Sequence, residues 1–145
     1  MKSGFKIRAA LTAIAIVMAP TLASGQSQFD RAMSAAQAGE HARALVLFRD
    51  AAQAGDEAAQ FNLSVLFARG QGTPQNDPSA FYWAWRARLS GETRAASLTE
   101  FLDGRLSAET RADVTEQLLA DVAQLVEQGD VSAFLSLGRL NLTLL

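Results

Sequence analysis

The chain of 145 residues contains no cysteine and a single histidine, His41. Without cysteine there is no disulfide framework, no thiolate metal site and no lipid-modified cysteine anchor, so stability rests on packing. One histidine leaves a zinc ion to be held mostly by carboxylates, an unusual donor set; no metal and no cofactor is expected. Lysine is confined to Lys2 and Lys6, and every later base is an arginine spaced singly among acids. The whole chain carries a net charge of −2, which becomes −5 beyond residue 25 once Lys2, Lys6 and Arg8 are left out. A phosphate-binding surface needs clustered bases, so no nucleic-acid partner is expected. Runs of alternating β-branched residues that would mark strands are also missing.

What is present begins with a three-part leader. Lys2, Lys6 and Arg8 precede the apolar stretch from Ala9 to Met18, and Pro20 and the small-residue patterns Thr21-x-Ala23 and Ala23-x-Gly25 follow. This pattern predicts a signal peptide over residues 1–25, cleaved near Ala23 to Gly25, and a periplasmic or secreted bacterial protein. The apolar stretch is shorter than the roughly 20 residues that cross a bilayer, so no membrane span is expected after cleavage. Residues 26–145 suffice for one domain.

Within that domain a unit recurs. Gly55-Asp56-x-x-Ala59, Gly91-Glu92-x-x-Ala95 and Gly129-Asp130-x-x-Ala133 share one pattern at spacings of 36 and 38 residues, a period that suits a helix pair. Each glycine can close one helix in the left-handed conformation. Each acid then sits where the next helix's dipole favours negative charge. Between these marks apolar residues recur at helical spacing: Ala44, Leu45, Leu47, Phe48, Ala51 and Ala52, then Ala59, Leu63, Leu66 and Phe67. The turn-forming stretch from Gly70 to Asn76 follows, after which Asp77 is expected to cap a helix with Pro78 in its first turn. That helix carries Ala80, Phe81, Trp83, Ala84 and Ala87 and stops before Gly91. A short helix near Ala95 to Leu102, a break at Gly104 and a cap at Ser107 precede a long helix to Gln128. Its stripe of Val114, Leu118, Val122, Leu125 and Val126 faces a core. The segment from Asp130 to Leu145 starts as the others do. The fold class expected is all-α, a short α-solenoid of antiparallel helix pairs.

Residues 56–91, with Ala59-Gln60-Phe61-Asn62-Leu63, Leu66-Phe67, Gly70-Gln71-Gly72-Thr73-Pro74-Gln75-Asn76, Ala80, Trp83 and Ala87, closely resemble the Sel1-like repeat, a relative of the tetratricopeptide repeat. Residues 29–54 resemble a degenerate first unit through Ala32, Gly39, Ala44, Phe48 and Ala51. Residues 92–145, without a glycine-rich loop or tryptophan, look like diverged or capping helices. Ser64 stands where the family usually has glycine, which implies slightly looser packing there. The resemblance implies stacked units with a concave surface that binds other proteins. In such solenoids the first helix of each pair lines the inner surface, which here implies partner contacts through Phe61, Asn62, Val65 and Arg69.

Chemistry is sparse. Glu40-His41-Ala42-Arg43 supplies neither nucleophile nor orienting acid for a triad, and His41 is expected to be a solvent-exposed residue in a helix connection. Asp56 and Glu57 read as first-turn acids, and Gly70-x-Gly72 lacks the third glycine and preceding strand of a dinucleotide loop. No catalytic residue is assigned. Phe81 and Trp85, four apart, share a side that Trp83 does not, and core or inter-repeat packing is expected of these rings. Phe134, Leu137, Leu140, Leu142, Leu144 and Leu145 leave the last segment with almost no polar cover, so self-association is a further expectation. The function expected is a non-enzymatic adaptor or regulator that binds a protein or peptide segment. Two alternatives stand beside it: an enzyme processing cell-wall components or β-lactams, as associated with cysteine-rich relatives of this repeat, and an assembly factor acting through the apolar tail.

Overall fold

The computed structural model describes residues 21–129, with side chains from residue 28 onward. The first 20 residues of the leader expected over residues 1–25 and the segment from Asp130 on lie outside the described residues, and the expected cleavage position near Ala23 to Gly25 falls within α1 as described. Six helices follow one another among the described residues: α1 (Thr21–Gln37), α2 (His41–Gln53), α3 (Glu57–Arg69), α4 (Asp77–Ser90), α5 (Ala95–Asp103) and α6 (Ala108–Glu127). The all-α expectation holds. None of these helices is long and apolar enough to cross a membrane.

One chain-reversing closure recurs at the ends of α1 to α4. The amide of Glu40 donates to the Ala35 carbonyl, Asp56 to Ala51, Gln71 to Leu66 and Glu92 to Ala87, at 2.9 to 3.1 Å. Gly39, Gly55, Gly70 and Gly91 precede the four donors with positive φ. This six-to-one bond satisfies a carbonyl that the helix end would leave bare. Starts are capped as well. The Asp56 carboxylate accepts from Ala59 N at 2.7 Å, and the Ser107 hydroxyl accepts from Thr110 N at 3.1 Å.

Two local expectations need correction. Asn76, not Asp77, caps α4: it holds a non-helical backbone and accepts from Ser79 N at 2.9 Å. Asp77 is already helical, and its carboxylate pairs with Arg105 at 2.8 Å. Glu92 is not a first-turn acid either, because α5 starts only after the N-cap Arg94. The Glu92 carboxylate instead grips the Arg94 side chain and backbone amide.

Helices adjacent in sequence pack from α1 through α5, and α6 docks on α4, which therefore also contacts α3 and α5. The main core is built from alanines and few large rings: Ala32, Ala44, Ala51, Ala52, Ala59, Ala80 and Ala84 bring backbones close, while Phe48, Phe67 and Phe81 fill what remains. Burying such rings supplies most of the favourable free energy. A smaller cluster of Leu89, Leu118 and Val122 joins α4 to α6, with Tyr82 and Trp85 packed against it. Phe81 and Trp85 meet edge to face at 6.2 Å, as their spacing predicts.

Two polar residues sit inside the main core without loss. Gln60 donates to the Ala52 carbonyl at 3.2 Å and accepts from the Ser90 hydroxyl at 3.1 Å, so one side chain links the ends of α2 and α4 to α3. Ser64 is wholly buried and turns its hydroxyl to its own helix, donating to the Phe61 carbonyl at 2.7 Å.

The loop from Gly70 to Asn76 folds over the start of α2. A Cβ on Gly72 would stand 2.4 Å from the His41 carbonyl oxygen, and the backbone there has φ +77°. Only glycine fits both demands. The same approach corrects the expectation for His41, which is half-buried at the first position of α2 with its Nδ1 shielded and unpaired among the described residues.

Candidate functional site

The residues expected to meet a partner lie together on one flank of α3, and none is buried. Two are already engaged within the chain. The Arg94 guanidinium lies over the Phe61 ring at 4.5 Å, and Asn62 donates to the Ala58 carbonyl of its own helix at 2.8 Å. Val65 is half-buried, whereas Arg69 is exposed and has no ion pair among the described residues.

A more enclosed surface lies elsewhere. A cleft of about 540 Å3 opens between α4 and α6, with Gln53 of α2 at its edge. It is lined by the second helix of each consecutive pair, whereas the α3 flank belongs to a first helix. The amphipathic stripe of α6 explains how it forms. Leu118 and Val122 are drawn to α4, and the residues beside that stripe, Gln117, Asp121, Gln124 and Gln128, are left along the opening.

At its centre is a three-residue hydrogen-bonded array. The Tyr82 hydroxyl donates to Asp121 Oδ2 at 2.5 Å, and Arg86 Nη1 donates to the same hydroxyl oxygen at 3.1 Å. Burial first, and donation to Asp121 second, push the Tyr82 phenol above its ordinary value, while Arg86 opposes the shift. The phenol therefore stays protonated and keeps its bond to Asp121. Trp83 is half-buried, meets Tyr82 edge to face at 5.2 Å and lines the cleft beside it. It packs against the main core and also lines the opening, so the packing expected of it is incomplete.

The lining combines aromatic faces, neutral carboxamides and a guanidinium. Carboxamides both donate and accept, which suits them to a polypeptide backbone. The array sets a phenol against a carboxylate, and that phenol is held in its protonated form. Among the described residues no group of three His, Asp or Glu side chains is placed to hold a metal ion. Asp56 and Glu57 lie apart from the cleft, at the start of α3, where Asp56 serves as the cap.

The sequence pattern does not point to this site. Tyr82 and Asp121 are 39 residues apart, and each stands in an ordinary helical stripe. The available signal is an acid on α6 directly beside an apolar position, Asp121 next to Val122, and the only tyrosine of the chain on α4. No family model, curated protein or solved structure matches the chain.

Proposed function

We propose that the chain is an interaction module of the Sel1-like type, exported to the bacterial envelope, in which stacked helix pairs form a short solenoid that holds a segment of another protein. The module carries out no catalytic step and acts as an adaptor or regulator. The observation that carries this reading is the α4–α6 cleft, where two adjacent rings of α4, Tyr82 and Trp83, share the lining with the carboxamides of Gln53, Gln117, Gln124 and Gln128. Such a lining offers apolar contact and two-way hydrogen bonding, as peptide-binding grooves do. The glycine closures and the repeat spacing support the solenoid. The leader supports export.

Of the two surfaces, the cleft has the stronger claim. Phe61 and Asn62 spend part of their capacity on Arg94 and Ala58, whereas Gln117 and Gln124 have no hydrogen-bond partner among the described residues. The flank carrying Phe61, Asn62, Val65 and Arg69 serves as a rim for a larger partner.

The test is site-directed photo-crosslinking in the native envelope. A crosslinker at Gln117 is expected to yield a discrete adduct with one protein, lost when cleft residues are substituted. Labelling no stronger than that from a crosslinker at exposed Asp50 on α2 would defeat the reading. Amino-terminal sequencing of the exported protein tests the leader, with a new terminus expected between residues 23 and 26.

A further inference from the structure

Resting on the reading above, we infer that the α4–α6 cleft takes an extended peptide bearing an acidic side chain, with Arg86 as the partner of that carboxylate.

Arg31, Arg49 and Arg69 have no ion pair among the described residues but are exposed, whereas Arg86 lacks one while half-buried in the cleft. Arg43, Arg94, Arg105 and Arg111 each have a carboxylate within 2.8 Å, and Arg88 lies over the Trp85 ring at 4.8 Å while donating to Thr99. Arg86 is half-buried, lines the cleft and has no ion pair among the described residues. Among the described residues its one hydrogen bond goes to the Tyr82 hydroxyl, and its guanidinium lies 6.0 Å from the centre of the same ring. Asp121 is the nearest acid in this array, but that same hydroxyl stands between them. A guanidinium has five N–H donors and binds a carboxylate with two in parallel. One donor is used, so a bidentate edge is left for a ligand.

The Tyr82–Asp121 bond contributes more than a link between helices. By occupying Asp121 Oδ2 it keeps that carboxylate from folding onto Arg86, and it leaves Oδ1 to accept from the ligand. The cleft thus shows a cation on α4 and an anion on α6 joined through the Tyr82 hydroxyl, with Gln117 and Gln124 on α6 to either side of Asp121. A peptide with an acid beside Arg86 and a donor beside Asp121 satisfies both, and the reversed peptide satisfies neither. The volume of about 540 Å3 suits a short stretch of extended chain. Gln117 and Gln124 then bond its backbone groups, and Trp83 covers an apolar side chain.

The experiment pans a phage-displayed library of random peptides against the purified protein and measures synthetic copies of the selected peptides by fluorescence anisotropy. The expected result is a shared Asp or Glu, with Arg86→Gln weakening binding about tenfold or more. Replacing the peptide's acid by its amide should give the same loss, and the two changes together should add little. Gln117→Glu alters an exposed side chain and leaves folding intact, so it keeps the test open should Arg86→Gln prove unstable. It is expected to weaken both peptides by removing the amide donors, and to weaken the acidic peptide further by repulsion. Selected peptides without a common acid, or binding indifferent to both substitutions, would overturn the inference. Peptides that depend on Asn62 and Arg69 but not on Arg86 would overturn it too while leaving the interaction module standing. Failure to select any peptide would remove both.

Discussion

The helices before the Gly70 loop and the helices after α4 are held by different means. From α1 to α4 the contacts are close and continuous, with alanines at the crossings, rings between them and a satisfied glutamine inside. Beyond α4 the attachment is thinner: α6 places Val114 in the main core and Leu118 and Val122 against Leu89, and adds one phenol–carboxylate bond and the Arg105–Asp77 and Arg111–Asp103 ion pairs nearby, whose arginines are partly exposed. Alanine-lined contact fixes a framework. The looser joint leaves room for a cleft, so the region that gives up packing is the one that gains a surface.

Several measurements would break or sharpen this contrast. The largest effect is expected at Phe48, which is 1% exposed: Phe48→Ala should cost about 3–5 kcal/mol in urea unfolding. Leu118→Ala should cost less globally and mainly release the amides of α6 to hydrogen exchange. If both substitutions lowered stability equally, the two clusters would be one cooperative unit and the contrast would fail. Next comes Gly72→Ala, which forces a Cβ against the His41 carbonyl at positive φ and should cost about 1–3 kcal/mol or more. An unchanged melting temperature would deny the loop its close seat on α2.

A smaller effect, about 1 kcal/mol, is expected of Tyr82→Phe, read as faster exchange in α6 with α2 and α3 unaffected. The same phenol sets an alkaline limit. Its proton is held above the ordinary value of 10.0 by burial and by Asp121, so the folded state keeps a proton that the unfolded chain releases first. This contribution is complete below about pH 10 and is lost as pH rises through the folded value. Tyr82→Phe should remove that part of the alkaline decline. The smallest change is expected of Arg43→Ala, whose pair with Glu40 is largely exposed; a loss above about 1 kcal/mol would be too great for such a pair.

Much of the framework was legible because its causes are local. The stops at Gly55, Gly70 and Gly91, the cap at Ser107 and the stripe of Val114, Leu118 and Val122 each depend on residues within a turn or two. The misreadings arose where a local rule met a distant neighbour. Asp77 looked like a cap and is held instead by Arg105, and His41 looked exposed because nothing in its own helix announces the loop above it. Glu92 was assigned to a helix that starts later. The cleft was least legible, since Tyr82 and Asp121 meet only after α6 has chosen α4 over α5 as its principal neighbour, and no periodicity encodes that choice.

The buried glutamine has a mechanical consequence. Interfaces lined with alanine are smooth, and two such helices can slide by a turn, about 5.4 Å, and still find methyl groups opposite methyl groups. Gln60 acts as a detent against that slip. Moved by one turn, its amide would lose the Ala52 carbonyl and the Ser90 hydroxyl together, stranding polar atoms in a dry interior. One residue thereby gives a low-friction contact a single resting position.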